Sequence, residues 1–202
     1  MIILRHKDYY LAAIVGFLIG WFVLMPIKNF GFSLTPLLII TSVVFFTFFG
    51  PFCMFILKQF SIFWPVFDQF GKFAAVGSLN SFVDLAVLNF LIFITDISVG
   101  FYFSLFKTFS FVLAKTSSYF WNKFWTFESK ESVSWREYLK FSVFTVIGLI
   151  INVGIATLIV NYLKPPVHID DKIWANIGAV GAIIISMFWN FLSYKNIVFK
   201  NA

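Results

Sequence analysis

The sequence predicts an all-α integral membrane protein with six transmembrane helices, an N-terminal hairpin followed by a four-helix unit. Two observations predict this class. Hydrophobic residues make up 60% of the 202 residues and charged residues only 12%, with a mean hydropathy of +0.91, which is more apolar surface than a soluble domain can bury. The apolar residues also come in runs of about 19–25, the length of a helix that crosses a hydrocarbon core.

Hydropathy locates the spans along the chain, and segments that are charged or contain proline separate most of them. The six spans lie near residues 9–27, 34–57, 70–94, 102–121, 138–162 and 173–194. The first span also resembles a signal peptide, because Arg5 and Lys7 precede its apolar core. No small-x-small cleavage site follows it, so a retained helix is the favoured interpretation.

The fourth span is the least obvious, because Lys107 and Lys115 interrupt it. The distribution of basic residues favours keeping it. With six spans, one side of the membrane receives Arg5, Lys7, Lys58, Lys72, Lys123, Lys130, Arg136, Lys140, Lys195 and Lys200. The other side receives Lys28, Lys164 and Lys172. The positive-inside rule then predicts a multi-pass protein of the plasma or inner membrane with both termini in the cytoplasm.

An internal repeat relates the second half of the chain to the segment before it. "FGKFAAVGSLNSFVD" resembles "YLKFSVFTVIGLIIN", which aligns Asp84 with Asn152. "SYFWNKFWTF" resembles "NFLSYKNIVF", which aligns Lys123 with Lys195. Each copy holds two spans, so both copies enter the membrane from the same side as parallel repeats.

The repeat sets the predicted domain organisation. Residues 66–200 form a four-helix transmembrane domain of two hairpins, and residues 1–60 form a separate N-terminal hairpin. Gly16 and Gly20 give that hairpin a GxxxG pattern, which is typical of close helix packing. The same glycine face is also a surface through which a homodimer could form.

Polar residues cluster on one face of each of the third and fourth spans. On the third span, Gly77, Asn80, Ser81 and Asp84 recur at i, i+3, i+4 and i+7. On the fourth, the stripe is Ser104, Lys107, Thr108, Phe111, Lys115, Ser118 and Asn122. One interpretation is a structural ion pair between an acid and a base. The other is a hydrophilic pocket with surplus positive charge for an anionic substrate, because one acid cannot neutralise two lysines.

These same stretches are similar to the GtrA-like family of small four-helix membrane proteins. The resemblance covers "FGKFAAVGSLNSFVDLAVLNFL", "KTFSFVLAKTSSYFWNKFWTF", "YLKFSVFTVIGLIINVGI" and "NFLSYKNIVF". The segment "NKFWTF" resembles the family's Asn-Arg/Lys-x-Trp-x-Phe signature and is the most specific piece. The N-terminal hairpin is a departure, since typical members consist of the four-helix unit.

The resemblance implies handling of polyprenyl-phosphate-linked sugars. Family members act beside membrane glycosyltransferases that charge undecaprenyl phosphate, and they are proposed to flip the lipid outward. The sugar then decorates surface polysaccharides or teichoic acids. On that analogy, Asp84, Lys107, Asn122 and Lys123 fall at positions where the family pattern is polar or charged.

The chemistry of such a substrate fits the polar residues. Lysines can pair with the phosphodiester, and amide or carboxylate groups can bond the sugar hydroxyls. The predicted substrate-binding residues are Asn80, Asp84, Lys107, Lys115, Asn122, Lys123, Lys140, Asn152, Asn190 and Lys195. In this interpretation three lysines, Lys123, Lys140 and Lys195, capture the headgroup at the cytoplasmic rim. Lys115 and Lys107 then carry it into the membrane.

Two other functions stay open, a non-transporting anchor for a glycosyltransferase and a small proton-coupled exporter with Asp84 as its titrating group. An enzyme is not expected, because paired acids, Ser/His/Asp sets and metal ligands are missing. Neither a cofactor nor nucleic acid is an expected partner, although the net charge is +6. No nucleotide-binding motif is present, so translocation is predicted to be passive or ion-coupled.

Overall fold

The computed structural model describes residues 6–163, 165 and 171–200. Within these residues the chain is helical and contains no β-strand. The helices are α1 (His6–Phe22), α2 (Leu24–Asn29), α3 (Pro36–Ser61), α4 (Val66–Thr95), α5 (Gly100–Trp121), α6 (Trp135–Tyr162) and α7 (Asp171–Ser193). Each predicted span has a helical counterpart, the first being shared by α1 and α2, so the all-α class is confirmed.

Four segments of the described chain are long and apolar enough to cross a membrane. They are His6–Asn29, Pro36–Ser61, Val66–Thr95 and Trp135–Ile159. Helices α5 and α7 are not among them. The chain is therefore a helical membrane protein with four such segments, and crossing by α5 and α7 stays a prediction. Both chain termini and Lys164, which enter the predicted orientation, lie outside the described residues.

A proline causes the break between α1 and α2. Pro26 lacks a backbone N–H, and its ring clashes with the carbonyl four residues earlier, which belongs to Phe22. Helix α1 ends at Phe22. The chain resumes as α2 one residue later, so the two helices still form one membrane-length segment.

The chain divides into two compact units, residues 1–128 and residues 129–202. In the first unit, α1 packs closely against α3 through glycines. A methyl group added at Gly16 would collide with the backbone of Phe46, and one at Gly20 with the backbone of Val43. The glycine face therefore packs α1 against α3 of the same chain, in agreement with the predicted role in helix packing. Because α3 covers the face, it offers no surface for the predicted homodimer.

The core of the first unit joins both α1 and α3 to α4. Val15 and Ile19 of α1 are buried against Val76 and Leu79 of α4, and Trp125 completes the cluster. The N-terminal hairpin is thus packed onto the first hairpin of the four-helix domain. The domain boundary near residue 60 stays a prediction, and the contacts of α1 and α3 with α4 cross it.

The second unit consists of α6 and α7 with the segment that follows. Helix α6 begins after Ser134, whose hydroxyl accepts a hydrogen bond from the backbone N–H of Glu137 (3.1 Å). This N-cap satisfies a donor that the first helical turn cannot. Near the same end, the buried rings of Phe141 and Tyr194 lie 4.5 Å apart, and the Tyr194 hydroxyl hydrogen-bonds to Thr145 (2.6 Å).

Each hairpin of the four-helix domain ends in a short π-helix. These two π turns are Asn122–Thr126 and Tyr194–Val198. In the first, the N–H of Phe127 donates to the carbonyl of Asn122 (2.8 Å), and in the second the N–H of Phe199 donates to the carbonyl of Tyr194 (2.8 Å). The repeat alignment pairs the two turns residue for residue. This rare backbone form, recurring at matched positions, supports the predicted repeat.

Candidate functional site

A charged pair with a hydrogen-bonded serine links α4 to α5 inside the first unit. The Lys107 ammonium contacts one carboxylate oxygen of Asp84. The hydroxyl of Ser110 donates to the other oxygen (2.5 Å), and that hydroxyl also lies 3.0 Å from the carbonyl oxygen of Lys107. We call Asp84, Lys107 and Ser110 the acid–base cluster. The predicted approach of an acid and a lysine on these two helices is therefore present.

The acid–base cluster lies deep along its helix but is still accessible. Asp84 is about 16 Å from the Thr95 end of α4 at 1.5 Å per residue. The side chain of Asp84 is 19% exposed and that of Lys107 is 45% exposed. Both charges are therefore partly open to their surroundings.

Asn80 extends the polar surface by one helical turn from Asp84. Its side-chain oxygen is buried and has no hydrogen-bond partner among the described residues. Buried amide oxygens are almost always bonded, because leaving one unsatisfied costs about 1–3 kcal/mol. Such a group next to a charged cluster is a candidate ligand for a hydroxyl donor.

The sequence left open which lysine reaches Asp84, and the structure gives that place to Lys107. Lys115 lies two turns further along α5 and is half-buried. Ser110, which lies between them along α5, is fully buried. Lys107 thus contacts Asp84, and Lys115 lies on the same polar stripe of α5.

The second hairpin carries a neutral version of the same contact. Asn152, which aligns with Asp84, donates to the hydroxyl of Ser186 (3.1 Å). Asn190, one turn further along α7, packs directly on Gly148, where any larger residue would collide with its amide. The Asn190 side-chain oxygen has no hydrogen-bond partner in the described part of the chain. The two hairpins thus share a polar helix contact, and the charged one is in the first hairpin.

The first π turn buries most of its polar side chains. The Asn122 amide donates to the carbonyl oxygen of Ser118 (2.9 Å), while its own oxygen and the Thr126 hydroxyl have no partner among the described residues. The Lys123 side chain is completely buried. The π turn therefore holds a compact polar cluster instead of presenting it to the surface.

Of the three lysines predicted at the cytoplasmic rim, Lys123 is buried and the other two are not. Lys140, on α6, and Lys195, in the second π turn, are exposed. The Lys195 ammonium lies over the ring of Phe191, 5.7 Å from its centre. Lys123, in the first π turn, differs because it is buried. Two of the three lysines predicted at the rim are thus exposed.

A second charge network was not predicted from the sequence. Asp8 of α1 is 1% exposed and binds the ammonium groups of Lys58 (3.1 Å) and Lys72 (3.2 Å). Lys72 also binds Asp68 (3.1 Å) and Glu128 (3.2 Å). We call these five residues the Asp8 network. Its charges are mutually paired, which allows them to be buried at tolerable cost.

The Asp8 network fastens the N-terminal hairpin to the four-helix domain. Its members belong to α1, α3 and α4, except Glu128, which follows the first π turn. Asp8 also accepts a hydrogen bond from the indole N–H of Trp125 in the first π turn (3.2 Å). The sequence does contain a signal for this network. Asp8 is an acid at the start of an apolar span, and that end of the span is on the side of the membrane predicted to hold Lys58 and Lys72.

These features define a helical membrane protein whose first hairpin carries a charged pair within the span. The model of the family "GtrA/DPMS, transmembrane domain" matches residues 72–199, well over half of the chain. The chain belongs to this family. The matched region includes the acid–base cluster and both π turns, and it excludes α1, α2 and α3. Comparison with curated proteins and with solved structures found no match.

Proposed function

We propose that this protein translocates a polyprenyl-monophosphate-linked sugar from the cytoplasmic to the outer leaflet, where the sugar modifies surface glycans such as teichoic acids. The observation that carries the proposal is the acid–base cluster inside a domain of the GtrA/DPMS family. Family membership connects the chain with polyprenyl-phosphate sugars in the membrane. The cluster supplies groups of the right charge and polarity to move such a headgroup.

The headgroup needs partners that replace water. A sugar on a polyprenyl monophosphate carries one negative charge and several hydroxyls, all costly to place in hydrocarbon. In the proposed mechanism the phosphate displaces Asp84 as the partner of Lys107, which keeps the lysine neutralised throughout. Asp84, Ser110 and the unsatisfied oxygen of Asn80 then bond sugar hydroxyls. The isoprenoid chain stays in the lipid.

The remaining polar residues serve entry and exit. Lys140 and Lys195 are exposed and collect the anionic headgroup on the side that the positive-inside rule assigns to the cytoplasm. Lys115 precedes Lys107 along α5 and forms the intermediate step. Crossing by all six helical segments, in the plasma or inner membrane, belongs to the same proposal. The family consists in general of non-catalytic membrane proteins, in keeping with a transport role.

A proton-coupled exporter is the second candidate, and the Asp84–Lys107 contact is the observation that favours it. A carboxylate paired with a lysine within a membrane span is rare and is typical of ion and proton pathways. A scaffold for a partner glycosyltransferase is the third candidate, because gripping a lipid headgroup and recruiting the enzyme that makes it require similar surfaces.

Reconstitution separates these functions. Vesicles that contain the purified protein are loaded on one leaflet with a polyprenyl-phosphate hexose, and its appearance on the opposite leaflet is scored with a membrane-impermeant periodate. Translocation in a pH-clamped vesicle supports the flippase. Translocation only with a proton gradient supports coupling through Asp84. Absence of translocation, together with co-purification of a glycosyltransferase, supports the scaffold.

A further inference from the structure

A groove lies between the N-terminal hairpin and the first π turn, within the first unit. Its volume is about 330 Å³, at the small end of ligand pockets. The lining residues are Lys7, Leu11, Phe120, Trp121, Phe124 and Trp125. We call this the aromatic groove. Two of these residues belong to α1, and four belong to the end of α5 and the π turn.

The aromatic walls are held in place. The rings of Phe120 and Phe124 are stacked with centres 6.3 Å apart, and those of Trp121 and Trp125 meet edge to face at 5.8 Å. Trp125 is 2% exposed, and its indole N–H is fixed by the Asp8 carboxylate. The groove is therefore pre-organised, which lowers the entropic cost of binding.

The charge of the groove is positive. Lys7 is exposed and is the ionisable member of the lining. The neighbouring acid, Asp8, is buried and turned toward Lys58 and Lys72. An anion in the groove thus meets a lysine without meeting an uncompensated carboxylate. Aromatic faces beside this charge suit a ligand that joins a phosphate to apolar C–H surface.

We propose that the aromatic groove is the entry site for the sugar-phosphate headgroup, with the N-terminal hairpin as its second wall. This inference rests on the proposed function and adds a role for the hairpin. Lys7 binds the phosphate, while the exposed rings of Phe120 and Phe124 pack on the sugar. Leu11 lies where the first isoprene unit leaves for the lipid. Lys7 and Leu11 precede the family-matched region, so the site is an addition to the four-helix unit.

Ordinary anionic phospholipid is the competing occupant, because lysine and tryptophan are also typical of the membrane interface. A phospholipid offers the phosphate but has two acyl chains and no sugar. The two occupants are distinguished by their dependence on the sugar. A headgroup site prefers the polyprenyl-phosphate hexose over both sugar-free polyprenyl phosphate and phosphatidylglycerol.

Binding to the full-length protein in nanodiscs tests the groove. The probe is a fluorescent short-chain polyprenyl-phosphate hexose, with sugar-free polyprenyl phosphate and phosphatidylglycerol as competitors. Lys7→Met is expected to weaken hexose-lipid binding about tenfold, with Lys7→Arg near wild type. Phe124→Ala, at a residue that is 50% exposed, is expected to reduce the preference for the hexose lipid over the sugar-free one. Lys28→Met, an exposed lysine elsewhere on the hairpin, is the matched control.

The outcomes separate the groove from the proposed function. Equal binding by Lys7→Met and Lys28→Met overturns the groove while leaving translocation through the acid–base cluster intact. Equal competition by phosphatidylglycerol also overturns it, in favour of an interfacial lipid contact. Failure of the wild-type protein both to bind and to translocate the hexose lipid overturns the proposed function itself. The predicted loss in Lys7→Met, with retention in Lys7→Arg, supports the site.

Discussion

Asp84 of α4 and Lys107 of α5 form an ion pair that the sequence placed on facing stripes of two adjacent helices. The carboxylate is shared with the hydroxyl of Ser110, so three side chains join the two helices. The two copies of the repeat differ in charge at this contact, since Asn152 occupies the position that matches Asp84. The proposed function assigns the anionic headgroup to the first hairpin because Lys107 and Lys115 belong to it.

The first prediction concerns the energy of this pair. Asp84→Asn and Lys107→Met are each expected to destabilise the protein, because each leaves a charge without its partner in a partly dry environment. The double variant is expected to be more stable than the sum of the two losses implies. The coupling should be about 1–3 kcal/mol in a double-mutant cycle measured by thermal unfolding in detergent.

The control for this cycle is Asn152→Ala, which removes a neutral contact at the matching position. Its effect should add independently to either single substitution, because it does not touch the pair. Strict additivity between Asp84→Asn and Lys107→Met would contradict the ion pair.

The second prediction concerns the Asp8 network. Asp8→Ala is expected to lower the stability by about 3–5 kcal/mol, since it leaves two buried lysines short of a partner. Asp68→Ala should cost much less, because its side chain is 33% exposed and its loss leaves Asp8 in place. Chemical unfolding of the two variants compares them directly. Equal losses would show that the buried acid has no special role.

The third prediction concerns helix packing in the N-terminal hairpin. Gly16→Ala is expected to destabilise the protein by about 1–3 kcal/mol, because the added methyl group collides with the backbone at Phe46. Gly77→Ala is the matched control, since a methyl group there meets nothing within 4 Å. It should be neutral or stabilising by up to about 1 kcal/mol, through the lower helix propensity of glycine. Thermal unfolding that ranks the two variants the other way would contradict the α1–α3 contact.

Helix positions could be predicted from the sequence because hydropathy acts over whole spans. The predicted span 138–162 and the helix Trp135–Tyr162 agree to within three residues at one end. The break at Val23 was missed, although Pro26 signals it, because hydropathy does not change there. The π turns were also missed, since an inserted residue in a helix leaves no mark in composition.

The site could be predicted only in part. The pairing of an acid with a lysine followed from helical periodicity, which places Asp84 and Lys107 on stripes of neighbouring helices. Whether Lys107 or Lys115 contacts Asp84 depends on how α5 is aligned along α4. The sequence of one helix alone does not specify that alignment. The Asp8 network depends on packing between helices far apart in the chain. Similarly, Lys123 is buried in a π turn that hydropathy does not predict.

The fourth prediction concerns topology. In a Cys53→Ala background, cysteine is introduced at Ser33 in the loop before α3 and at Glu131 in the loop before α6, both of which are exposed. With six spans, a membrane-impermeant maleimide should label Ser33→Cys in intact cells and label Glu131→Cys only after permeabilisation. Labelling of both positions in intact cells would contradict the proposed orientation.

The most direct measurement of the central claim is leaflet-to-leaflet transfer of a polyprenyl-phosphate hexose in vesicles that contain the wild-type protein, Lys107→Met, Lys115→Met or Asp84→Asn. Lys130→Met, an exposed loop lysine, is the control. Lys107→Met and Lys115→Met are expected to abolish transfer per mole of reconstituted protein, while Asp84→Asn is milder because asparagine can still bond hydroxyls. Transfer at the wild-type rate in the Asp84→Asn/Lys107→Met/Lys115→Met triple variant would contradict the claim, because it would show that the headgroup crosses without these side chains.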